Sequence, residues 1–181
     1  MQLKDTLYAD LSRQYLYAGQ PDKKATVIGV IVRSFSPRFA PVVIFRLAHW
    51  CFERGLPVIP KALSLVNFIF FGLEVAVRCK IGSGLYFPHT QGTVIGAIEI
   101  GDNATIYHNV TFGAREIDIG YSTSSRPVVG HNVIVGSGAK ILGAVVLGDN
   151  VRVGANAVVL DDVASDVTVV GIPARPLVRK E

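Results

Sequence analysis

Bulky apolar side chains recur at every sixth position between residues 75 and 159, with two interruptions. The positions in phase are Val75, Ile81, Phe87, Val94, Ile100, Ile106, Phe112, Val129, Val135, Ile141, Leu147, Val153 and Val159. Glycine follows seven of them directly, and a small or apolar residue usually comes four positions after each. A six-residue period fits neither an α-helix nor an alternating strand. It predicts a solenoid of short strands, in which one bulky residue per hexad points inward and glycine permits a tight corner.

The longer interruption separates Phe112 from Val129. The polar segment AREIDIGYSTSSRP in this interval keeps no phase. We interpret residues 114–127 as a loop that leaves the solenoid. Long irregular loops on a rigid scaffold often carry function.

The first 70 residues have helical periodicity instead. One face of the first predicted helix comprises Leu3, Leu7, Leu11 and Tyr15. Residues 40–55 predict a second helix, with Pro41 in its first turn and Gly55 at its end. A proline-punctuated apolar segment follows and is expected to end in a short helix or an extended entry to the solenoid. We expect these helices to pack on a neighbouring subunit, with attachment to a membrane surface as the alternative.

The chain is therefore predicted to be mainly β, with a helical region at residues 1–70, a solenoid domain at 71–175 and a tail at 176–181. Its 181 residues carry a net charge of +4, without a basic stripe or an RNA-binding motif, so nucleic acid is not an expected partner. No secretory signal or apolar run long enough to span a bilayer is evident. We expect a cytoplasmic protein with reduced cysteines, and Cys79 should point into the core.

Four segments resemble the hexapeptide-repeat acyltransferases: FFGLEVAVRCKIGSGLYFPHTQGTVIG, IYHNVTFG, VGSGAKILGAVVLGDNVRVGANAVVL and VVGIPAR. Together they span residues 70–175. Two branches of that family are similar, the serine acetyltransferases and the colanic-acid-type polysaccharide O-acetyltransferases. The resemblance implies a left-handed parallel β-helix, a homotrimer, and acetyl-CoA bound in the grooves between subunits.

The resemblance also implies a catalytic pair. In the serine acetyltransferases the catalytic histidine follows a catalytic aspartate by fifteen residues, and here His89 follows Glu74 by that interval. A histidine that titrates near neutral pH can remove the proton of an attacking hydroxyl, and a carboxylate can orient the imidazole. Backbone N–H groups at Gly113 and Ala114 are the expected donors to the oxyanion. His108 is expected to contact acceptor or cofactor.

Small residues could let the pantetheine arm of coenzyme A lie against the backbone, and basic residues could meet its phosphates. The residues expected to bind the cofactor are Gly113, Ala114, Gly138, Ala139, Lys140, Ala157 and Arg175. Further basic candidates are Arg152, Arg179 and Lys180. No metal is expected, because His89, His108 and His131 lack the spacing of the carbonic-anhydrase-like members.

Three departures from the serine branch lead us to expect a different acceptor. Arg126 occupies the loop position, before Pro127, where that branch has a histidine. The helical region is about half as long as in that branch, and the tail that docks into cysteine synthase is not expected, nor is that complex. The favoured acceptor is accordingly a sugar hydroxyl in polysaccharide or capsule biosynthesis, with Arg126 binding an anionic part of it. Free serine is the alternative acceptor, and a non-catalytic β-helix scaffold is a remote one. Contact with the inner membrane surface is left open.

Overall fold

The computed structural model describes residues 2–118 and 120–177. Four α-helices come first: α1 Leu3–Tyr17, α2 Val27–Arg33, α3 Ala40–Glu53 and α4 Ile59–Phe71. Short strands follow: β1 Leu73–Val75, β2 Lys80–Ile81, β3 Thr93–Ile95, β4 Glu99–Ile100, β5 Thr105–Ile106, β6 Thr111–Gly113, β7 Val128–Val129, β8 Ile134–Val135, β9 Lys140–Leu142, β10 Val146–Leu147, β11 Arg152–Val153, β12 Val158–Val159, β13 Thr168–Val170 and β14 Arg175–Pro176. Among these described residues, no helix is both long and apolar enough to cross a membrane.

The strands form three parallel sheets that are the sides of a left-handed β-helix. The first sheet has the order β1-β3-β6-β9-β12, the second β10-β7-β4-β2, and the third β14-β13-β11-β8-β5. Successive strands along the chain enter successive sheets, so each coil pairs with the coil before it. Lys140 pairs with Val158, three hexads later. Only β14 pairs antiparallel, where the chain folds back onto β13.

Apolar side chains from all three sheets fill the interior. Phe87, Ile106, Phe112 and Ile141 are each at most 1% exposed. Cys79 is fully buried as predicted, and burial raises the pKa of its thiol to about 12. The hexad periodicity therefore predicted the inward positions of most coils.

One coil corrects the predicted phase. The periodicity predicts that Val94 points inward, but Val94 is 36% exposed and its neighbour Ile95 is buried and pairs with Phe112. The turn before β3 holds two residues more than the six-residue period requires, where the periodicity predicted one. The corner after β3 is one residue shorter than that period requires. As a consequence Ala97, rather than Ile98, fills the inward position at that corner.

The helical region matches the prediction except for α2. Pro41 lies in the first turn of α3, and α4 ends at Gly72, which adopts a left-handed conformation (φ +60°). Helix α2 has the sequence VIGVIVR, whose β-branched residues and glycine are weak helix formers, so its pattern gave no helical signal. Thr26 caps it by accepting a hydrogen bond from the Gly29 N–H (3.0 Å).

A buried ion pair attaches the helices to the first coil. Arg46 of α3 donates from Nε and Nη2 to the two carboxylate oxygens of Asp10 of α1, at 2.9 and 3.0 Å. The same guanidinium donates to the carbonyls of Ile81 (2.5 Å) and Gly82 (2.6 Å), and Asp10 accepts from the Leu85 N–H (2.8 Å). Burial raises the pKa of the Asp10 carboxyl, and Arg46 opposes this effect. Two helices and one coil thus share a single polar network.

Replacing Asp10 with alanine should lower the free energy of unfolding by about 3–5 kcal/mol, because it leaves the Arg46 charge buried without a counter-ion. Urea unfolding followed by Trp50 fluorescence measures the change. The control is Asp161→Ala, which removes the exposed partner of Arg175 and should cost less than about 1 kcal/mol. Equal losses in the two variants would contradict this role for the buried pair.

Candidate active site

A rigid turn presents His89 to solvent. The side chain of His89 is exposed, whereas Phe87 and Thr90 on either side of it are buried. Thr90 Oγ1 donates a hydrogen bond to the carbonyl of Phe71 (2.7 Å), and the Gly92 N–H donates to the carbonyl of Gly72 (2.9 Å). The turn is therefore fixed to the end of α4, and its imidazole can meet a ligand without rearrangement of the backbone.

The end of α4 lies on one side of the His89 turn, and the turns of the later coils stack on its other side. The Asn109 N–H donates to the Gln91 carbonyl (2.9 Å), the Gly138 N–H to the His108 carbonyl (3.0 Å), and the Asn156 N–H to the Ser137 carbonyl (2.8 Å). We name this column of turns, at residues 88–92, 107–109, 136–138 and 154–156, the histidine edge. It lies between the third and the first sheet.

The histidine edge brings His108 next to His89. Their ring centroids are 5.7 Å apart and the rings meet edge-on. Lys140, at the start of β9, reaches back to the same edge, where Nζ donates to the Asn109 carbonyl (2.6 Å) and to Thr111 Oγ1 (3.2 Å). His131 belongs to the corner between the second and third sheets, where it pairs with Asp102. The three histidines therefore do not share one site.

Glu74 is exposed on the outer face of β1, in register with Val94. In the described part of the chain, the histidines with a nearby carboxylate are His49 and His131, so no ion pair joins Glu74 to His89. The predicted orienting role of Glu74 stays a prediction.

The turns predicted to bind coenzyme A expose residues other than the predicted alanines. Ala139 and Ala157 are completely buried and their methyl groups fill the core. Ala155 is exposed and Ser137 is partly exposed, so a ligand on these turns would meet them instead. Gly138 adopts φ +75°, and a Cβ there would lie 2.0 Å from Asn156 Oδ1. The prediction that Ala139 and Ala157 bind the cofactor stays a prediction, and their burial agrees with the inward positions that the hexad phase assigns to them.

The predicted oxyanion donors lie at a different edge. Gly113 ends β6, where it pairs with Leu142, and Ala114 begins the loop at residues 114–127. Within residues 2–118 and 120–177 the Ala114 N–H donates no hydrogen bond. We name the column formed by this loop and the corners at 76–79, 96–98, 143–145 and 160–162 the loop edge. It bounds the first sheet on the side opposite the histidine edge.

A groove of about 500 Å³ runs along the loop edge. Its lining includes Arg115, Glu116 and Ser125 of the loop and Gly143 and Asp161 of later corners. Arg115 donates from Nε to the Leu142 carbonyl (3.3 Å), which fixes the start of the loop against the coil above. The groove thus combines a fixed backbone with charged side chains of both signs.

Arg126 holds the loop together. It donates from Nε to Asp118 Oδ2 (2.9 Å), from Nη2 to the Asp118 carbonyl (2.8 Å) and from Nη1 to the Gly96 carbonyl (3.1 Å), and it stacks 4.2 Å from the ring of Tyr121. Its side chain is only 11% exposed. The guanidinium is thus engaged by its own loop, and the predicted role of Arg126 in binding an anionic acceptor stays a prediction.

Asp118 is the centre of this clamp. Partial desolvation disfavours its charge, but hydrogen bonds from Ser122, Ser125 and Arg126 outweigh that effect and lower the pKa of the carboxyl. Tyr121 ties the clamp to the solenoid by donating its hydroxyl hydrogen to the Ala97 carbonyl. Sequence reasoning missed Asp118 and Tyr121 because nothing in a loop sequence indicates which side chains fold back.

Arg175 is exposed at the last coil and contacts Asp161 at 3.2 Å. Arg152 is exposed on the outer face of the third sheet. Arg179 and Lys180 lie outside the described residues. Of the described phosphate-binding candidates, Lys140 therefore reaches the histidine edge, whereas Arg152 and Arg175 lie elsewhere.

Comparison with known proteins supplies independent evidence. The family described as bacterial transferase hexapeptide (six repeats) matches residues 126–161. A serine acetyltransferase of Synechococcus elongatus is 44% identical over 144 residues, which are 79% of this chain and 58% of that protein. A serine acetyltransferase of Helicobacter pylori is 42% identical over 144 residues, and the match covers 82% of that protein.

The solved structures that resemble this chain include serine acetyltransferases as well. Neisseria gonorrhoeae serine acetyltransferase in complex with serine superimposes with a TM-score of 0.81 at 29% identity, over 97% of this chain and 69% of that one. Brucella abortus serine acetyltransferase in complex with coenzyme A gives a TM-score of 0.79 at 28% identity, over 96% and 67%. This chain thus spans little more than half of the Synechococcus relative and about two thirds of these structures.

The expectation of a sugar acceptor was wrong. The relatives at 40–44% identity are serine acetyltransferases. The argument for a sugar relied on Arg126 and on the short helical region. Arg126 is engaged by its loop, and the match covers 82% of the Helicobacter serine acetyltransferase, so a relative of short total length carries that name.

The two alanines of the coenzyme turns make a matched pair for testing the inward and outward positions. Ala139→Trp should lower the free energy of unfolding by at least about 3 kcal/mol, because the indole overfills a closed core. Ala155→Trp should change it by less than about 0.5 kcal/mol, because that side chain points to solvent. Urea unfolding of both variants checks this, and a stable Ala139→Trp protein would contradict the assignment.

Proposed function

The chain belongs to the serine acetyltransferase family, and we propose that it transfers the acetyl group of acetyl-CoA to the hydroxyl of serine. The observation that carries this proposal is the exposed imidazole of His89, held in a rigid turn beside His108. The names of relatives and of complexes with serine and coenzyme A support the choice of substrates.

In the proposed reaction His89 acts as the general base. Its imidazole removes the proton from the serine hydroxyl as the oxygen attacks the thioester carbonyl. The tetrahedral oxyanion then collapses, the carbon–sulfur bond breaks, and the imidazolium returns the proton to the departing thiolate. The products are O-acetylserine and coenzyme A, so the proton and the acetyl group are both accounted for. We expect His108 to contact the acceptor or the cofactor, and Glu74 remains a predicted positioning residue.

The oxyanion donors require a second chain. His89 and the Ala114 N–H lie on opposite edges of the first sheet, whose three-residue strands are about 10 Å long. A carbonyl within hydrogen-bond distance of His89, about 3 Å, cannot also reach Ala114 of that chain. We propose that the histidine edge of one subunit faces the loop edge of the next in a cyclic homotrimer.

An exposed apolar face on α4 supports assembly. Leu65, Phe68, Ile69 and Phe70 are 56–71% exposed, and Lys61 is the only charged residue of the helix. An exposed apolar face with a single charge favours burial against another copy of the chain.

His89→Ala should lower turnover by about 10²–10⁴-fold, as expected when a general base is lost, without changing the assembled mass. Thiol release from acetyl-CoA with serine as acceptor measures turnover. Glu74→Gln should cost less, and His131→Ala is the control histidine on another edge. Wild-type turnover in the His89 variant, or faster thiol release with sugars than with serine, would contradict the proposal.

Mixing two inactive variants tests the shared site. His89→Ala removes the base, and Ala114→Pro removes the loop-edge N–H, so each homotrimer should be inactive. Because each site would take one edge from each of two neighbours, every mixed trimer should hold one intact site, and a random 1:1 assembly should regain about one quarter of wild-type activity. No recovery after co-expression, with mixed trimers verified by mass, would place both groups of one site in the same chain.

A further inference from the structure

Helix α2 is attached to the protein by one face only. Gly29 packs so closely that a Cβ there would lie 3.0 Å from the Tyr15 hydroxyl, and Val30 is partly buried against the core. No residue of α2 is fully buried. Bulky apolar side chains cover the opposite face and the residues just after the helix. Their exposed fractions run from 55% to 88% for Val27, Ile28, Ile31, Val32 and Phe35.

Positive charge surrounds this apolar face. Residues 22–38 contain four basic side chains and one acidic one, a net charge of +3, whereas the whole chain has +4. A groove of about 560 Å³ is lined both by basic residues, among them Lys23, Lys24 and Arg33, and by apolar ones, among them Phe35. Lys23 and Arg33 are held over the ring of Tyr15, with centroid distances of 4.7 and 5.9 Å. The charges therefore stand beside the apolar side chains in fixed positions.

The same face of a second copy of the chain fits this surface poorly. Two such surfaces in contact would bring two segments of net charge +3 together, and like charges in an interface oppose association. The α4 face lacks this obstacle because it carries one charge only. The two apolar faces of the helical region thus call for different partners.

We propose that α2 and its flanking basic residues dock on the surface of an anionic lipid bilayer. The apolar side chains would enter the boundary between headgroups and acyl chains, and the basic side chains would meet the lipid phosphates. Contact is restricted to the surface, since α2 has seven residues and no helix among those described could span the membrane. The surface so defined, residues 22–38, does not include the histidine edge or the loop edge.

Vesicle flotation of the full chain tests the proposal. The protein should float with vesicles of phosphatidylcholine and phosphatidylglycerol, remain in solution with phosphatidylcholine alone, and be released by high salt, because the attraction is screened. Lys23→Gln with Lys24→Gln should weaken binding by roughly 30-fold, at about fivefold for each basic residue near an anionic surface. Phe35→Ser should also reduce binding. These side chains are exposed, so the melting temperature should not change.

Matched control variants test whether the loss of vesicle binding is specific to residues 22–38 or follows from removing any exposed charge or apolar side chain. Lys80→Gln with Arg152→Gln removes two exposed charges elsewhere, and Ile117→Ser removes an apolar side chain that is 94% exposed in the loop. Both controls should bind vesicles as the wild type does. Absence of flotation, equal binding to neutral vesicles, or equal losses in the controls would overturn the proposal. So would a Phe35→Ser variant with reduced assembled mass and unchanged flotation, which would make α2 a subunit interface.

Discussion

No coil of this β-helix can bury its apolar residues alone, and the rest of the structure depends on that constraint. Each strand has two or three residues, and its inward side chains are covered only by the coils before and after it. Stacking therefore aligns not only the core but also the corners. Residues 19 positions apart in sequence, such as His89 and His108, become neighbours on one edge. Side chains that could act together are therefore those that share an edge, and the order of residues in the sequence does not show which ones do.

The alignment of corners also places far apart some residues that the sequence motifs assign to a single site. His89 and Ala114 both belong to the part of the sequence that resembles the acyltransferase site, yet they lie on opposite edges of the first sheet. This separation makes a site shared between subunits a geometric requirement of the proposed mechanism. In that proposal, the Asp118–Arg126 clamp would keep the loop in one shape before the neighbouring subunit is present.

The helical region is joined to this scaffold by the Asp10–Arg46 network, which connects α1 and α3 to the first coil. With α3 fixed in this way, α4 ends where the first strand must begin, and the His89 turn is attached to that end. The same arrangement leaves one apolar face with a single charge on α4 and one basic apolar face on α2. Their different charge is the physical basis for assigning them to different partners.

The sequence by itself determined the solenoid, because a six-residue period has few structural solutions and a fixed inward position in each hexad. It also determined the loop at residues 114–127, which lies between β6 and β7, and it singled out His89 from its neighbours. It did not determine the acceptor, since Arg126 was interpreted from its position in the loop. The sequence also misplaced Val94, because one residue added to or lost from a corner reverses which side chain points inward. Tertiary structure alone decided where Arg126 donates its hydrogen bonds and which corners share an edge. These are contacts between coils, and their partners follow from stacking rather than from the order of residues.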